Sequence, residues 1–178
     1  MAIFTSVPVP VLAVNPLLSG TGLYSSKKLF KFGAVRYVLG VEVFPAGVDR
    51  QVIAVKSLDG GATWSAVLGV TPGGFTPGGE CMVLDAANSR IHIVAKKAAP
   101  PFHLFYFFFD LTTDTYSVPV DSGQPASQMV AALQSTGDLY VVFNGAATGD
   151  AMQIVTVSAG AFGAFTPLIA GSPDIFLF

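Results

Sequence analysis

Charged side chains are scarce in this chain. Asp, Glu, Lys and Arg make up 11% of its 178 residues, against roughly a quarter in ordinary globular domains. Nine basic and eleven acidic residues leave a net charge of −2. The basic residues form no stripe, so a phosphate backbone meets no electrostatic footprint and nucleic acid is not an expected partner. The basic pairs Lys27-Lys28 and Lys96-Lys97 have the look of solvated strand ends rather than of a binding patch. Cys81 is the single cysteine, which excludes an internal disulfide and leaves the redox compartment open. The two histidines, His92 and His103, have no second His, Cys or acid at ligand spacing, so neither a metal nor another cofactor is expected.

Long apolar runs are also missing. Pro8, Pro10 and Pro16 interrupt the N-terminal stretch, and no segment approaches the ~20 apolar residues of a membrane helix. The regular ~10-residue alternating segments of a membrane barrel do not appear either. The start, Met1-Ala2-Ile3-Phe4-Thr5, lacks a basic region followed by an apolar one and gives no support to Sec-type export. No Ser-His-Asp elbow and no phosphate-cradling glycine loop opening a helix is present.

What is abundant is apolar and turn-forming. Hydrophobic residues reach 52%, with 15 Phe, 19 Gly and 12 Pro. That much apolar surface calls for cover from other subunits or further blades, which are the expected protein partners. Helical periodicity is almost absent. Val, Ile, Phe and Tyr runs are punctuated by Gly, Pro, Asn and Asp about every eight to twelve residues, which is the pattern of an all-β chain. A weak self-similarity of roughly 45 to 55 residues lies in the range of propeller blades.

Three units follow. The first spans about 27–70, with strands near Lys28–Phe32, Arg36–Phe44, Gln51–Lys56 and Thr63–Leu68. The second spans about 79–120, with Cys81–Leu84, Arg90–Ala95, Phe102–Phe109 and Thr115–Val118. The third spans about 127–170, with Met129–Leu133, Leu139–Phe143, Gln153–Val157 and Phe165–Leu168. Residues 1–26 form an arm or closing strand, in which Val7–Val14 alternates Val and Pro as an edge strand can. Residues 173–178 read as the first strand of a further blade. Closed propellers use about four to eight blades, so this parse leaves open sheet edges.

In the turn Ser57-Leu58-Asp59-Gly60-Gly61-Ala62-Thr63-Trp64 the Asp59 carboxylate can accept from its own backbone, Gly60 and Gly61 permit positive φ, and Trp64 packs inward. This stretch resembles the Asp box (BNR repeat) of sialidase-like β-propellers. The resemblance implies four-stranded antiparallel blades and a structural role for Ser57, Asp59, Gly61, Thr63 and Trp64, in a turn joining the third and fourth strands on the face opposite the pocket. The second unit places Tyr116 where Trp64 stands. In the third, Ser158 and Phe165 keep the seven-residue separation and Gly160 replaces the Asp.

A sialidase site would use three arginines on the substrate carboxylate, a Tyr/Glu nucleophile pair and an Asp acid/base. The arginines here are Arg36, Arg50 and Arg90, but Arg36 and Arg90 open second strands, on the face away from the usual pocket, and serve as hairpin caps. No catalytic residue is therefore assigned. The loops expected to reach the pocket face carry Asp49, Arg50, Glu80, Lys96, Lys97, Asp121, Gln128, Asn144 and Asp150. Of these Asp49, Arg50, Glu80, Lys96, Asp121, Gln128 and Asn144 are the candidate ligand contacts. The Gly-Pro segment Val70–Glu80 is the candidate functional loop. The aromatic run Phe102, Phe105–Phe109 is a buried strand with an interface face, or alternatively a carbohydrate-stacking platform.

The expected function is a non-catalytic binding or structural propeller module in a larger assembly, presenting loops to a glycan or protein. By analogy alone it belongs to a phage particle or other virion, or to an extracellular setting. The alternative is an enzyme, the first blades of a sialidase-like exo-glycosidase.

Overall fold

The computed structural model describes residues 28–43, 50–71, 73–145 and 152–169. Among these the chain is all-β, with no helix. Its strands are β1 (Lys28–Phe32), β2 (Val35–Val43), β3 (Arg50–Ser57), β4 (Leu68–Val70), β5 (Phe75–Asp85), β6 (Arg90–Lys97) and β7 (His103–Asp110). They continue as β8 (Thr115–Tyr116), β9 (Val120–Leu133), β10 (Leu139–Gly145), β11 (Met152–Ser158), β12 (Ala161–Phe162) and β13 (Thr166–Ile169). The arm at 1–26, Asp49, Asp150 and the strand at 173–178 lie outside the described residues.

Every pairing among these strands is antiparallel, and the pairings fall into three blade-like meanders. The first is a sheet of its own in the order β1-β2-β3-β4. The other two merge into one ladder, β12-β11-β10-β9-β7-β6-β5, with β8 on β7 and β13 on β11. The merger has a simple cause. The first part of β9 is the outer strand of the second unit, pairing Val120 and Asp121 with Tyr106 and Phe105, while its later part, from Ala126 to Leu133, is the inner strand of the third, on β10. The sheets so described are open.

Alternation of side chains on each strand sorts the apolar residues into layers. Tyr37, Leu39, Val41, Phe75, Ile91, Ile93, Phe107 and Phe109 form the core between the first and second units. Val94, Leu104, Tyr106, Leu139, Val141, Phe143 and Val155 form the one between the second and third. The run Leu104-Phe105-Tyr106-Phe107-Phe108-Phe109 feeds both, Phe107 and Phe109 on one side and Leu104 and Tyr106 on the other. A smaller cluster of Ile53 and Val55 with Val38, Trp64 and Val67 lies on the far side of the first unit.

The fourth strand of each unit is broken in the same way. In the first, the Ser65 amide donates to Lys56 O at 2.8 Å and the Lys56 amide donates to Ser65 Oγ at 3.0 Å. In the second, Ser117 does the same with Phe108, both bonds 2.9 Å long. In the third, the Gly163 amide donates to Thr156 O at 2.8 Å. The aromatic preceding each of these residues is therefore Trp64, Tyr116 and Phe162. Phe162, which pairs with Val157, takes the place expected for Phe165. The seven-residue spacing misleads because the third turn is shorter, a tight Ala159-Gly160 pair with both residues at positive φ, as a two-residue hairpin requires.

The segment Val70–Glu80 is likewise not a free loop. Phe75 already pairs with Lys97 and is fully buried, and β5 carries an irregularity between Phe75 and Glu80. Two glycines and a proline mark a bulged strand here, which sequence punctuation does not distinguish from a loop.

Candidate functional site

The meander gives each unit two ends. At the turn end, β1 passes to β2, β3 to β4, β5 to β6, β7 to β8, β9 to β10 and β11 to β12; at the loop end lie the starts of β5 and β7 and the segment Ala98–Phe102.

The turn end is held by carboxylates. Asp59 Oδ1 accepts from Ser57 Oγ at 2.8 Å and from the Thr63 amide at 2.9 Å, and Oδ2 accepts from Thr63 Oγ1 at 2.6 Å. The Gly61 amide donates to Ser57 Oγ at 2.7 Å and Trp64 Nε1 donates to Gly61 O at 3.2 Å. These bonds, those from Thr63 first, hold the Asp59 carboxyl well below the usual carboxylate range. Gly61 sits at φ +101° with an Arg36 nitrogen 3.2 Å from where a Cβ would stand, so Arg36 lies over this turn.

The second unit has an analogous turn that sequence reading missed. Asp110 Oδ1 accepts from the Thr112 amide and hydroxyl, at 2.7 and 2.6 Å, and from the Thr113 amide at 3.1 Å. Asp114 forms an ion pair with Lys56, tying this turn to the first unit.

Asp85 anchors a buried network. Its carboxylate accepts from the Asn88 amide and side chain, at 3.1 and 2.8 Å, and from Arg90 Nε at 3.3 Å. His92 Nε2 lies 3.3 Å from Asp85 Oδ2, and His92 Nδ1 lies 2.8 Å from the Tyr106 hydroxyl. Burial pushes the Asp85 carboxyl upward, but the bonds from Asn88, His92 and Arg90 outweigh it and hold it at about 2. An ionised carboxylate only accepts, so Nε2 carries the imidazole proton and Nδ1 accepts from Tyr106. Burial lowers the His92 pKa, partly offset by Asp85. With His92 only 3% exposed, the network is closed to a substrate. Arg90, expected as a hairpin cap, fills that role here and also lies over the Phe108 ring, 5.4 Å from its centroid.

The loop end is different in chemistry. Lys97 Nζ donates to Gly73 O at 2.7 Å and stands over the rings of Phe75 and Phe105, 4.6 and 5.0 Å from their centroids. His103 Nδ1 lies 3.1 Å from the Asp121 carboxylate. Burial raises the Asp121 pKa, but the Gly123 amide, His103 and Lys97 bring it below its ordinary value. Lys96 Nζ donates to Ser127 O at 3.2 Å and lies 5.9 Å from the Phe102 ring centroid. Burial lowers its pKa. Ser127 Oγ donates in turn to Asn144 O at 3.4 Å.

Among the candidate ligand residues, Lys96, Asp121, Gln128 and Asn144 thus lie around the loop end of the second and third units. Gln128 and Asp121 are exposed, while Asn144 is buried. Glu80 is buried on β5, opposite Ala95. Arg50 opens β3, paired with Val43. Lys97, expected on the pocket-face loops, Phe102, expected in the buried strand or alternatively in a stacking platform, and His103, not picked out as a ligand contact, join the cluster. The signal for them is the order of the chain: Lys96-Lys97 closes one strand and Phe102-His103 opens the next.

Glu80 faces Ala95, Ala95 faces Phe105 and Phe105 faces Asp121 across four neighbouring strands. Three inter-strand steps of about 4.8 Å set the backbones of Glu80 and Asp121 about 14 Å apart, against the roughly 5 to 10 Å between the paired carboxyls of glycosidases. Burial pushes the half-buried Cys81 thiol up to about 12. Among the described residues no group of three or more His, Cys, Asp and Glu is arranged to hold a metal, and no helix is long and apolar enough to cross a membrane.

No family model matches the sequence, and no curated protein matches it. Solved structures do resemble the fold. A candidate exo-β-1,3-galactanase from Bifidobacterium bifidum superposes with a TM-score of 0.53 at 13% identity, over 86% of this chain and 55% of its own. The GH43B protein of a Bacteroides ovatus xyloglucan PUL gives 0.52 at 14% identity, over 85% and 29%. The Bombyx mori GH32 β-fructofuranosidase gives 0.50 at 14%, over 86% and 40%. At such identities the likeness is one of fold, a β-propeller type built from antiparallel blades. The chain spans about half or less of the length of these structures.

Proposed function

We propose that this chain is a non-catalytic, glycan-binding module of β-propeller type that works packed against further blades or subunits, with Ser57–Trp64 an Asp box of the sialidase-like kind. One observation carries the reading: how the carboxylates are distributed. Asp59, Asp85, Asp110 and Asp114 are engaged at the turn end, and of the carboxylates whose side chains are described, Glu80 and Asp121 lie at the other, their backbones about 14 Å apart. The loop end carries instead two lysines, a His–Asp pair and an exposed aromatic, a set suited to holding hydroxyl-rich ligands without cleaving them. The glycoside hydrolase names of the structural neighbours support a glycan as the ligand. A virion setting has only the low charge and the Gly/Phe-rich composition behind it.

The test is affinity electrophoresis of the purified chain through gels containing xyloglucan, β-1,3-galactan or fructan, with a reducing-sugar assay alongside. Retardation by at least one polysaccharide with no sugar release is expected. Migration identical to that in a plain gel for all three would refute the reading.

The enzyme alternative, in which the chain supplies the first blades of an exo-glycosidase, is favoured by those same neighbour names. It requires sugar release, from a sialoside or from one of the three polysaccharides, once the chain is joined to whatever completes the ring.

A further inference from the structure

Most of the described aromatic residues of this fold are packed; Tyr140 on β10, 42% exposed, and Phe102 are left in solvent. Phe75, Phe107, Phe109 and Phe143 are fully buried, and Phe105, Phe108, Phe162 and Phe165 pack against the cores. Phe102 is the one exposed phenylalanine among the described residues. It is 38% exposed, belongs to none of the three clusters, and makes no ring–ring contact among the described residues. Its neighbours Ala99, Pro100 and Pro101 are exposed as well, so nothing in its own loop covers it.

Its backbone is unusual too. Phe102 has φ +59°, a left-handed conformation in which the Cβ of a bulky residue crowds its own backbone. Two bonds hold it there: the Phe102 amide donates to Ala99 O at 2.9 Å, and the Ala126 amide donates to Phe102 O at 3.2 Å. A glycine would take this conformation without strain. A large aromatic held where glycine is preferred, with its ring left in solvent, marks a position where the ring has a use beyond folding.

The surroundings indicate which use. The Lys96 ammonium stands over the ring, 5.9 Å from its centroid, and carries three donors, one of them given to Ser127 O. Gln128 is exposed one residue beyond Ser127, and the His103–Asp121 pair follows directly in sequence and across the sheet. An exposed apolar ring at an end of the sheet that also carries a cation, an amide and a His–carboxylate pair suits a ligand with an apolar face and a polar rim, and a pyranose ring has both.

We infer that Phe102 is a stacking platform for a pyranose unit of the bound glycan, on the ring face that the Lys96 ammonium does not cover. The inference rests on the glycan-binding reading and names the surface that performs it. The sugar's C–H face lies on the aromatic ring and excludes water from it.

Three variants test this: Phe102→Ala, Phe102→Trp and Phe102→Gly, each measured by retardation in whichever of the xyloglucan, β-1,3-galactan and fructan gels retards the parent chain, and by thermal melting. Phe102→Ala should weaken binding about tenfold or more, the scale of losing a ring-sized apolar contact, while Phe102→Trp retains it. Phe102→Gly should lose binding equally while its Tm stays level or rises by about 2–4 °C, because the backbone strain is relieved. A residue kept for folding would give the reverse, a lower Tm with unchanged binding. If the parent is retarded and all three variants match it, the platform is refuted and the glycan-binding reading stands. If the parent is not retarded by any polysaccharide, both fall.

Discussion

Replacing Tyr106 by Phe isolates the most consequential hydrogen bond in the buried network. The hydroxyl donates to His92 Nδ1 at 2.8 Å, and Tyr106 and His92 are 2% and 3% exposed. The ring of Phe refills the space, so what remains is a buried imidazole nitrogen with no donor. Leaving a buried polar atom unsatisfied costs about 1–3 kcal/mol. For a chain of this size about 2 kcal/mol lowers Tm by about 4–8 °C.

The pH dependence adds a second readout. Burial sets the folded pKa of His92 below its unfolded value, so as pH falls below about 6.5 the unfolded chain takes up the proton first and stability declines. Asp85 acts lower on the scale: held at about 2 when folded, it contributes about 2–3 kcal/mol above about pH 4 and loses that between about pH 4 and 2. Circular-dichroism melts at about pH 7, 6 and 5 on the parent, Tyr106→Phe and His92→Gln separate the terms. The parent should lose Tm from about pH 7 to 5, His92→Gln should lose less over the same window, and Tyr106→Phe should melt several degrees below the parent at about pH 7. A Tyr106→Phe melt within about 1 °C of the parent, or an undiminished acid slope in His92→Gln, would refute this account of the network.

Two further perturbations probe the turn end and the core. Asp59→Ala removes the acceptor of three bonds at an exposed turn; hydrogen exchange at the Thr63 amide should accelerate while polysaccharide retardation is unchanged, because the turn lies at the end opposite the loops. Phe107→Ala empties a fully buried site in the core between the first and second units and should cost about 3–5 kcal/mol, read as a lower urea midpoint with little change in slope.

Much of the architecture was legible in the order of residues. Alternation between apolar runs and Gly, Pro, Asn and Asp located strands such as Lys28–Phe32 to the residue and most others within one or two, since period-two patterning and turn chemistry are local properties. The bulge in β5 and the shortened third turn were not, because each depends on which strand a segment pairs with. Phe165 fitted the expected spacing in sequence; Phe162, three residues earlier, occupies the position in space because the short Ala159-Gly160 turn brings it opposite Val157. Of the loop-end groups, Lys96, Asp121, Gln128 and Asn144 were reachable from strand order alone. The exposure of Phe102 was not, since five neighbouring aromatics share its composition and only their burial tells them apart.

The sequence by itself determined the class of this protein: scarce charge, one cysteine, no helical period and repeated turn signals leave an all-β chain in antiparallel blades, because strand formation and turn chemistry act over a few residues. Tertiary structure alone decided which side chains meet. The closure of Asp85, His92 and Tyr106 into one buried network, the row that sets the backbones of Glu80 and Asp121 about 14 Å apart, and the exposure of Phe102 among its buried neighbours all follow from strand register, and register is set by contacts between residues far apart in the chain.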